Sequence, residues 1–262
     1  MSSADLAPAE IRCYFVRQRN CLLVRGKFSD LYMDYYLHLM QHEIKHADRL
    51  DMMLKEAVAG MALHLASRPH DEICAWTINL NDPLMNLFVS GGTKTGRVVG
   101  RIFTEDVKNT GRCLFITQTT RFGLHPQQSM IEFHGNDMLA AIEQFYSQSE
   151  QRLTRIFRLA DEDFVQISAE PDADEDWLNS LTDDNILSLD RDEQLSLLET
   201  RHYVFDCGCT VDRLFPMLMR LSEEDMDYVF ADGVAKITCP RCGAKFDPTR
   251  ETFDAWKASQ PA

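Results

Sequence analysis

Four cysteines near the C-terminus constrain this chain more than any other feature. They stand as Cys207-Gly208-Cys209 and, 29 residues later, Cys239-Pro240-Arg241-Cys242-Gly243. Two close thiol pairs on separate arms match a tetrahedral shell in which four thiolates surround one zinc ion at about 2.3 Å. The second pair has the form of a tight knuckle: Pro240 presets φ, and Gly243 lets the backbone turn so that N–H groups face sulfur. The first pair is rarer, because residues two apart must both point at one ion, and Gly208 supplies the backbone freedom. A unit of about 60 residues buries too little surface to be comfortably stable alone. Residues 201–262 therefore need a staple, and a metal ion supplies one. The expected site is one Zn2+ per chain held by Cys207, Cys209, Cys239 and Cys242.

The ligand set carries a second implication. All four ligands are sulfur, so every one is oxidisable, and each thiol has a near neighbour with which to condense. Zinc contributes roughly 10–16 kcal/mol to the folding of small zinc units, so its loss should unfold this one. Arg241 and Lys245 add positive charge beside the thiolates. A redox switch is the reading these features favour. A constitutive protein-binding module with a purely structural zinc is the alternative. The remaining cysteines, Cys13, Cys21, Cys74 and Cys113, sit in apolar settings and read as small buried hydrophobes.

The rest of the chain divides by pattern into an α+β arrangement. Residues 1–170 read as an N-terminal α/β, sandwich-like core domain. Apolar residues at helical spacing make Ser29 to Ser67 helix-rich. Strands are expected over Ile73–Leu80, Leu84–Val89, Arg97–Phe103, Arg112–Thr119 and Ser129–Phe133, with turn chemistry at Gly91-Gly92 and Asn109-Thr110-Gly111. A helix over Asn136–Ser149 and strands over Thr154–Leu159 and Phe164–Ser168 complete it. Residues 171–200 carry ten acidic residues and one basic residue, with apolar spacing at Trp177, Leu181, Ile186, Leu189, Leu195 and Leu198. They read as an acidic helical linker whose self-repulsion leaves it marginal as an independent fold. Residues 201–262 form the small C-terminal zinc-binding domain.

Several function classes are disfavoured. The net charge of −14 runs against a nucleic-acid partner and against an anionic membrane surface. No uncharged apolar run reaches the length of about 18 residues that a spanning helix needs. The first residues lack the basic and apolar regions of a secretory signal, so the cytoplasm is the expected compartment. Gly91-Gly92-Thr93-Lys94-Thr95 lacks the spacing of a phosphate loop and reads as a hairpin turn. His42-Glu43-Ile44-Lys45-His46 does match His-Glu-x-x-His, in which two histidines one helical turn apart hold a catalytic zinc and the glutamate acts as base. No third ligand follows at the expected position, where Arg49 and Met52 stand, so a zinc metallopeptidase is the weaker alternative. Met33, Met40, Met52, Met53 and Met61 read as core filling, with an adaptable client-binding surface as the other use.

With the cysteine pattern in view, the chain resembles the 33-kDa heat-shock protein family of redox-regulated chaperones, as a divergent member. The resemblance extends to Asp137-Met138-Leu139-Ala140-Ala141, Phe145-Tyr146-Ser147-Gln148-Ser149-Glu150-Gln151 and Thr154-Arg155-Ile156-Phe157. Weaker echoes are Val24-Arg25-Gly26, Asp82-Pro83-Leu84 and Gly96-Arg97-Val98-Val99-Gly100. It implies an ATP-independent holdase, not an enzyme. Zinc holds the reduced C-terminal domain folded and the chaperone silent. Oxidation by hypochlorite, or by peroxide with heat, forms disulfides that map to Cys207–Cys209 and Cys239–Cys242. The implied partners are unfolded or aggregation-prone client proteins and, when oxidised, a second copy of the chain. No nucleotide is implied.

Overall fold

Apolar–polar alternation sets the first strand of the computed structural model, which describes residues 8–260. In Ala9–Val16 (β1), Ala9, Ile11 and Cys13 are buried while Glu10 and Arg12 face water. Cys21–Lys27 (β2) follows, then helices Ser29–Gln41 (α1) and Asp48–Ala66 (α2). Strands Glu72–Asn81 (β3), Leu84–Gly92 (β4), Arg97–Phe103 (β5), Cys113–Arg121 (β6) and Gln127–Phe133 (β7) form an antiparallel run. Helix Met138–Gln148 (α3) and strands Thr154–Arg158 (β8) and Asp163–Ala169 (β9) complete the core. The leader pattern sought in the sequence falls partly on residues 1–7, outside the described residues.

Together with Leu195–Phe205 (β10) from later in the chain, the strands form one ten-stranded sheet in the order β7-β6-β3-β4-β5-β10-β1-β2-β9-β8. Helices α1, α2 and α3 cover one face. Every residue of α2 from Ala57 to Ala66 is buried, and small residues let the helix approach closely. A Cβ on Gly60 would lie 2.5 Å from Ile142 of α3, and one on Gly100 of β5 would lie 2.7 Å from Leu54 of α2. Trp76 of β3 is fully buried between His64, Phe115 and Phe145. Burial in that aromatic cage pushes His64 down to about 3, so it stays neutral and hydrogen-bonds Tyr146.

The opposite face is covered at the β2–β9 end by two short helices, Glu175–Ser180 (α4) and Asp183–Asp192 (α5). Their starts are well capped: Asp174 accepts from the Trp177 amide, and Thr182 and Asn185 form a reciprocal capping box. Leu178, Leu181, Ile186 and Leu189 pack onto Cys21, Leu23, Val165 and Ile167. Arg19 pairs with Asp174 at 2.7 Å and Glu193 at 2.9 Å, tying both helices back to the turn after β1. On its β1 side α5 stands off the sheet, leaving a cavity of about 560 Å³ lined by Arg12, Tyr14, Arg25, Ile186, Leu189 and Asp190.

The expected linker is not helical throughout. The helical spacing carried through Leu195 and Leu198 does not produce a helix, because Leu195–Phe205 is strand β10 in the centre of the sheet. Its antiparallel pairing with β1 spans Val16↔Leu195 to Ala9↔Tyr203, and the register shifts at Cys13/Tyr14, where Leu198 is the extra residue. That bulge breaks the two-residue alternation and leaves a three-residue leucine spacing that imitates a helix. The helical part of the expected linker ends at Asp192, and Thr200 lies within a strand.

Candidate metal centre

The cysteine centre begins where the sheet has a seam. Strand β10 joins β5 through only two parallel pairs, Val204↔Arg97 and Phe205↔Val98. The Asp206 amide continues along β5 by donating to Val98 O at 3.1 Å, and Cys207 follows directly. The Asp206 carboxylate accepts the Gly208 amide at 2.7 Å and pairs with Arg97 at 3.3 Å, which shapes the turn between the two cysteines. Gly208 has φ +61°, and a Cβ there would lie 2.6 Å from Arg97 Nη1. The positive φ favours glycine, and any Cβ would also have to displace the end of the Arg97 side chain. Arg213, in the first turn of Val211–Leu218 (α6), donates to Gly208 O at 2.7 Å.

The second arm is a hairpin tip between Ile237–Thr238 (β11) and Lys245–Phe246 (β12). The Cys239 amide donates to Ala244 O at 2.8 Å and the Gly243 amide to Cys239 O at 2.9 Å, with Gly243 at φ +77°. Helices α6, Glu223–Val229 (α7) and Arg250–Ala258 (α8) flank the tip. They bury a small core of Phe215, Leu218, Met226, Phe230, Ala235 and Phe253, separate from that of the sheet.

The four sulfurs lie within 4.8 Å of one another, with Cys207–Cys239 at 3.8 Å and Cys209–Cys242 at 3.5 Å. Tetrahedral geometry with metal–sulfur bonds of about 2.3 Å separates the sulfurs by about 3.8 Å. The donor set and its spacing therefore fit one thiophilic ion. Cys239 and Cys242 are buried, whereas Cys207 and Cys209 are half-buried. Sulfur–sulfur hydrogen bonds split the thiols. Contact with Cys209 holds Cys207, and contact with Cys207 holds Cys239, below the usual thiol range. Cys209 and Cys242 are pushed up, first by Cys207. Among the described residues these four form the only group of three or more metal-ligating side chains drawn together in this way. Cys13, Cys21 and Cys74 are buried as expected, and burial pushes Cys13 and Cys21 up to about 11. Cys113 is only half-buried.

The His-Glu-x-x-His segment does not build a metal site. Helix α1 ends at Gln41, Glu43 adopts φ +50°, and the segment from His42 to His46 runs through the loop before α2. His42 and His46 therefore do not stand one helical turn apart. The cysteine arm contacts this loop, where His42 Nδ1 accepts the Lys245 amide at 3.2 Å and Lys245 Nζ donates to Glu43 O at 3.3 Å. A direct prediction follows: His46→Ala leaves the metal content of the purified chain unchanged by atomic absorption, whereas a peptidase centre would lose an ion.

Sequence reasoning missed the residues that dock the knuckle on the core. Arg101 of β5 donates to Cys239 O at 2.9 Å, and His38 of α1 donates to Cys242 O at 3.0 Å. Arg241 turns away from the sulfurs to donate to Ser90 of β4 at 3.0 Å. The only sequence signal for these contacts is the Arg97/Arg101 spacing, which places both on one face of a strand.

The family profile described as Hsp33 protein matches residues 32–248. A 33 kDa chaperonin of Nitrosococcus oceani is 26% identical over 165 residues, 55% of this chain and 56% of that protein. A 33 kDa chaperonin of Edwardsiella ictaluri is 24% identical over 275 residues, 92% of this chain and 93% of that protein. The crystal structure of a 33 kDa chaperonin from Thermotoga maritima superposes with a TM-score of 0.73 at 12% identity, covering 96% of this chain and 99% of that one, which establishes the common fold. By the extent of the profile match, the chain belongs to the Hsp33 family.

Proposed function

We propose that this chain is an ATP-independent holding chaperone of the cytoplasm, switched on by oxidation of a zinc centre formed by Cys207, Cys209, Cys239 and Cys242. One observation carries the reading: four thiols from two arms converge at the joint between the C-terminal module and the sheet. Zinc, when bound, links the two arms and keeps their sulfurs as thiolates. The division of labour is an N-terminal core over 1–170, a linker from 171 whose end threads the sheet as β10, and a C-terminal switch module that begins at Cys207 rather than at the expected residue 201, because β10 runs on to Phe205.

Hypochlorite takes two electrons from a pair of thiols. The sulfurs join as a disulfide, their protons are released or taken up, and chloride and water are the products. The family pairing is Cys207–Cys209 and Cys239–Cys242. The shortest sulfur contacts cross between the arms, so peptide mapping of the oxidised chain is the direct assay of pairing. Either pairing ends four-fold coordination, and the arms release the ion. The module then has only its small aromatic core, which is too little to hold it folded. Helices α4 and α5, of six and ten residues, are too short to persist without packing. Their departure uncovers Leu23, Val165 and Ile167 for unfolding clients. Met33 and Met40 of α1 are already exposed and extend the apolar surface, whereas Met53 and Met61 fill the core. Two activated copies associate through such surface as a homodimer.

Oxidant titration tests this. Ion release and client co-sedimentation should rise together as four of the eight cysteines lose free thiol. Cys13, Cys21 and Cys74 should stay reduced, because burial disfavours their thiolates. Client binding that is independent of ion release would instead favour a structural zinc in a constitutive binder.

A further inference from the structure

The histidine-bearing end of α1 forms no metal site of its own, yet it is built into the cysteine centre. His38 Nε2 donates to Cys242 O at 3.0 Å, and Arg101 Nη1 donates to Cys239 O at 2.9 Å. Both carbonyls of the second cysteine pair are thus held by side chains far away in sequence, on the core side of the joint. Neither contact is incidental to an exposed surface. Cys239 and Cys242 are buried, and the Arg101 guanidinium is braced over the Phe103 ring at 4.4 Å. The His38 ring packs against Phe205, at the end of β10, with centroids 5.6 Å apart. A Cβ on Gly243 would touch Arg101 Nε at 3.6 Å, so the guanidinium lies along the knuckle backbone.

We propose that Arg101 and His38 are positioning residues for the cysteine centre: they clamp the peptide planes of Cys239 and Cys242 to the core and set how fast the centre gives up its ion. The proposal rests on the zinc reading above. A sulfur can swing off the ion by rotating about its Cα–Cβ bond, but it falls back onto the ion unless the knuckle backbone that carries it also moves, and that movement turns the peptide planes of Cys239 and Cys242. A carbonyl clamped by a guanidinium or an imidazole N–H resists the turn until the hydrogen bond breaks. A tetrathiolate zinc centre also carries a net double negative charge, which the fixed Arg101 cation offsets at the joint. Partners that orient ligand residues typically change metal affinity by roughly 10–100-fold when removed.

The test uses the full reduced chain loaded with zinc and mixed with excess chromophoric chelator. Wild type is compared with Arg101→Met, Arg101→Lys, His38→Ala and His38→Gln. Release should accelerate roughly 10–100-fold in Arg101→Met and in His38→Ala. Arg101→Lys and His38→Gln, which restore a donor toward the carbonyl, should return the rate toward wild type. The Co2+-loaded proteins should share one tetrathiolate absorption spectrum, showing that the ligands themselves are intact. Wild-type release rates in both Arg101→Met and His38→Ala overturn the proposal, as does acceleration that neither conservative variant reverses. A wild-type chain that takes up no metal overturns the zinc reading, and the clamp falls with it. Metal bound by wild type with unaltered release in the variants overturns the clamp alone.

Discussion

Replacing Cys242 by serine is expected to abolish metal binding and unfold the module from Cys207 to Ala258 while leaving the ten-stranded sheet intact. Cys242 is buried and 3.5 Å from Cys209, and a serine hydroxyl neither ionises near neutral pH nor matches a thiolate as a soft ligand. Losing the site removes a folding contribution of about 10–16 kcal/mol, which is comparable to the whole stability of about 5–15 kcal/mol typical of a domain. The core keeps most of its own apolar cluster, from Ile11 and Phe28 to Trp76 and Phe145, to which the module adds only Leu214, Cys239, Cys242 and Ala244 as buried members. Hydrogen exchange should therefore show lost protection in α6, α7 and α8 and retained protection in β3, β4 and β6. The reduced variant should also bind clients, since it mimics the oxidised module. Retained protection in α6 would mean that the small aromatic core suffices without the metal.

Ile186→Asp is expected to turn on client binding in the fully reduced, metal-loaded chain. Ile186 is completely buried between α5 and the outer face of the sheet. Removing such an aliphatic side chain costs about 2–5 kcal/mol, and an unpaired carboxylate in its place costs more. Helix α5 has little with which to resist. It is ten residues long, already carries Asp183, Asp184, Asp190 and Asp192, and stands off β1 over the cavity beside Arg12 and Tyr14. Ile186→Val, which costs only about 0.5–1.5 kcal/mol, should leave the protein gated. The measurements are metal content, exchange over α5 and client co-sedimentation. Loss of protection over α5 without client binding would show that the surface beneath the linker is not where clients bind.

How far the sequence carried these conclusions depends on the scale of the signal. The four-cysteine cluster was legible because its determinants are local, namely two short motifs with a glycine in each turn. The strand Arg97–Phe103 matches its expected bounds, and β3, β4, β6, β7, β8, β9 and α3 differ by a few residues at their ends, where pairing partners rather than local propensity decide the limits. Strand β10 was hidden because a bulge at Leu198 disguised its period, and its pairing with β1 spans almost the whole chain. The end of α1 before His42 was equally hidden, since the partner that holds the His42 side chain there is Lys245, 203 residues away. The same distance concealed the roles of His38 and Arg101. Neither carries a motif, and each acquires its role only when the module docks.

Light scattering from a heat-unfolding client tests the central claim most directly, with this chain added either reduced and zinc-loaded or pre-oxidised by hypochlorite. The account predicts that the oxidised chain suppresses scattering and the reduced chain does not, with zinc restored by reduction returning the protein to silence. Equal suppression by both forms would contradict the switch, and no suppression by either would contradict the chaperone function itself.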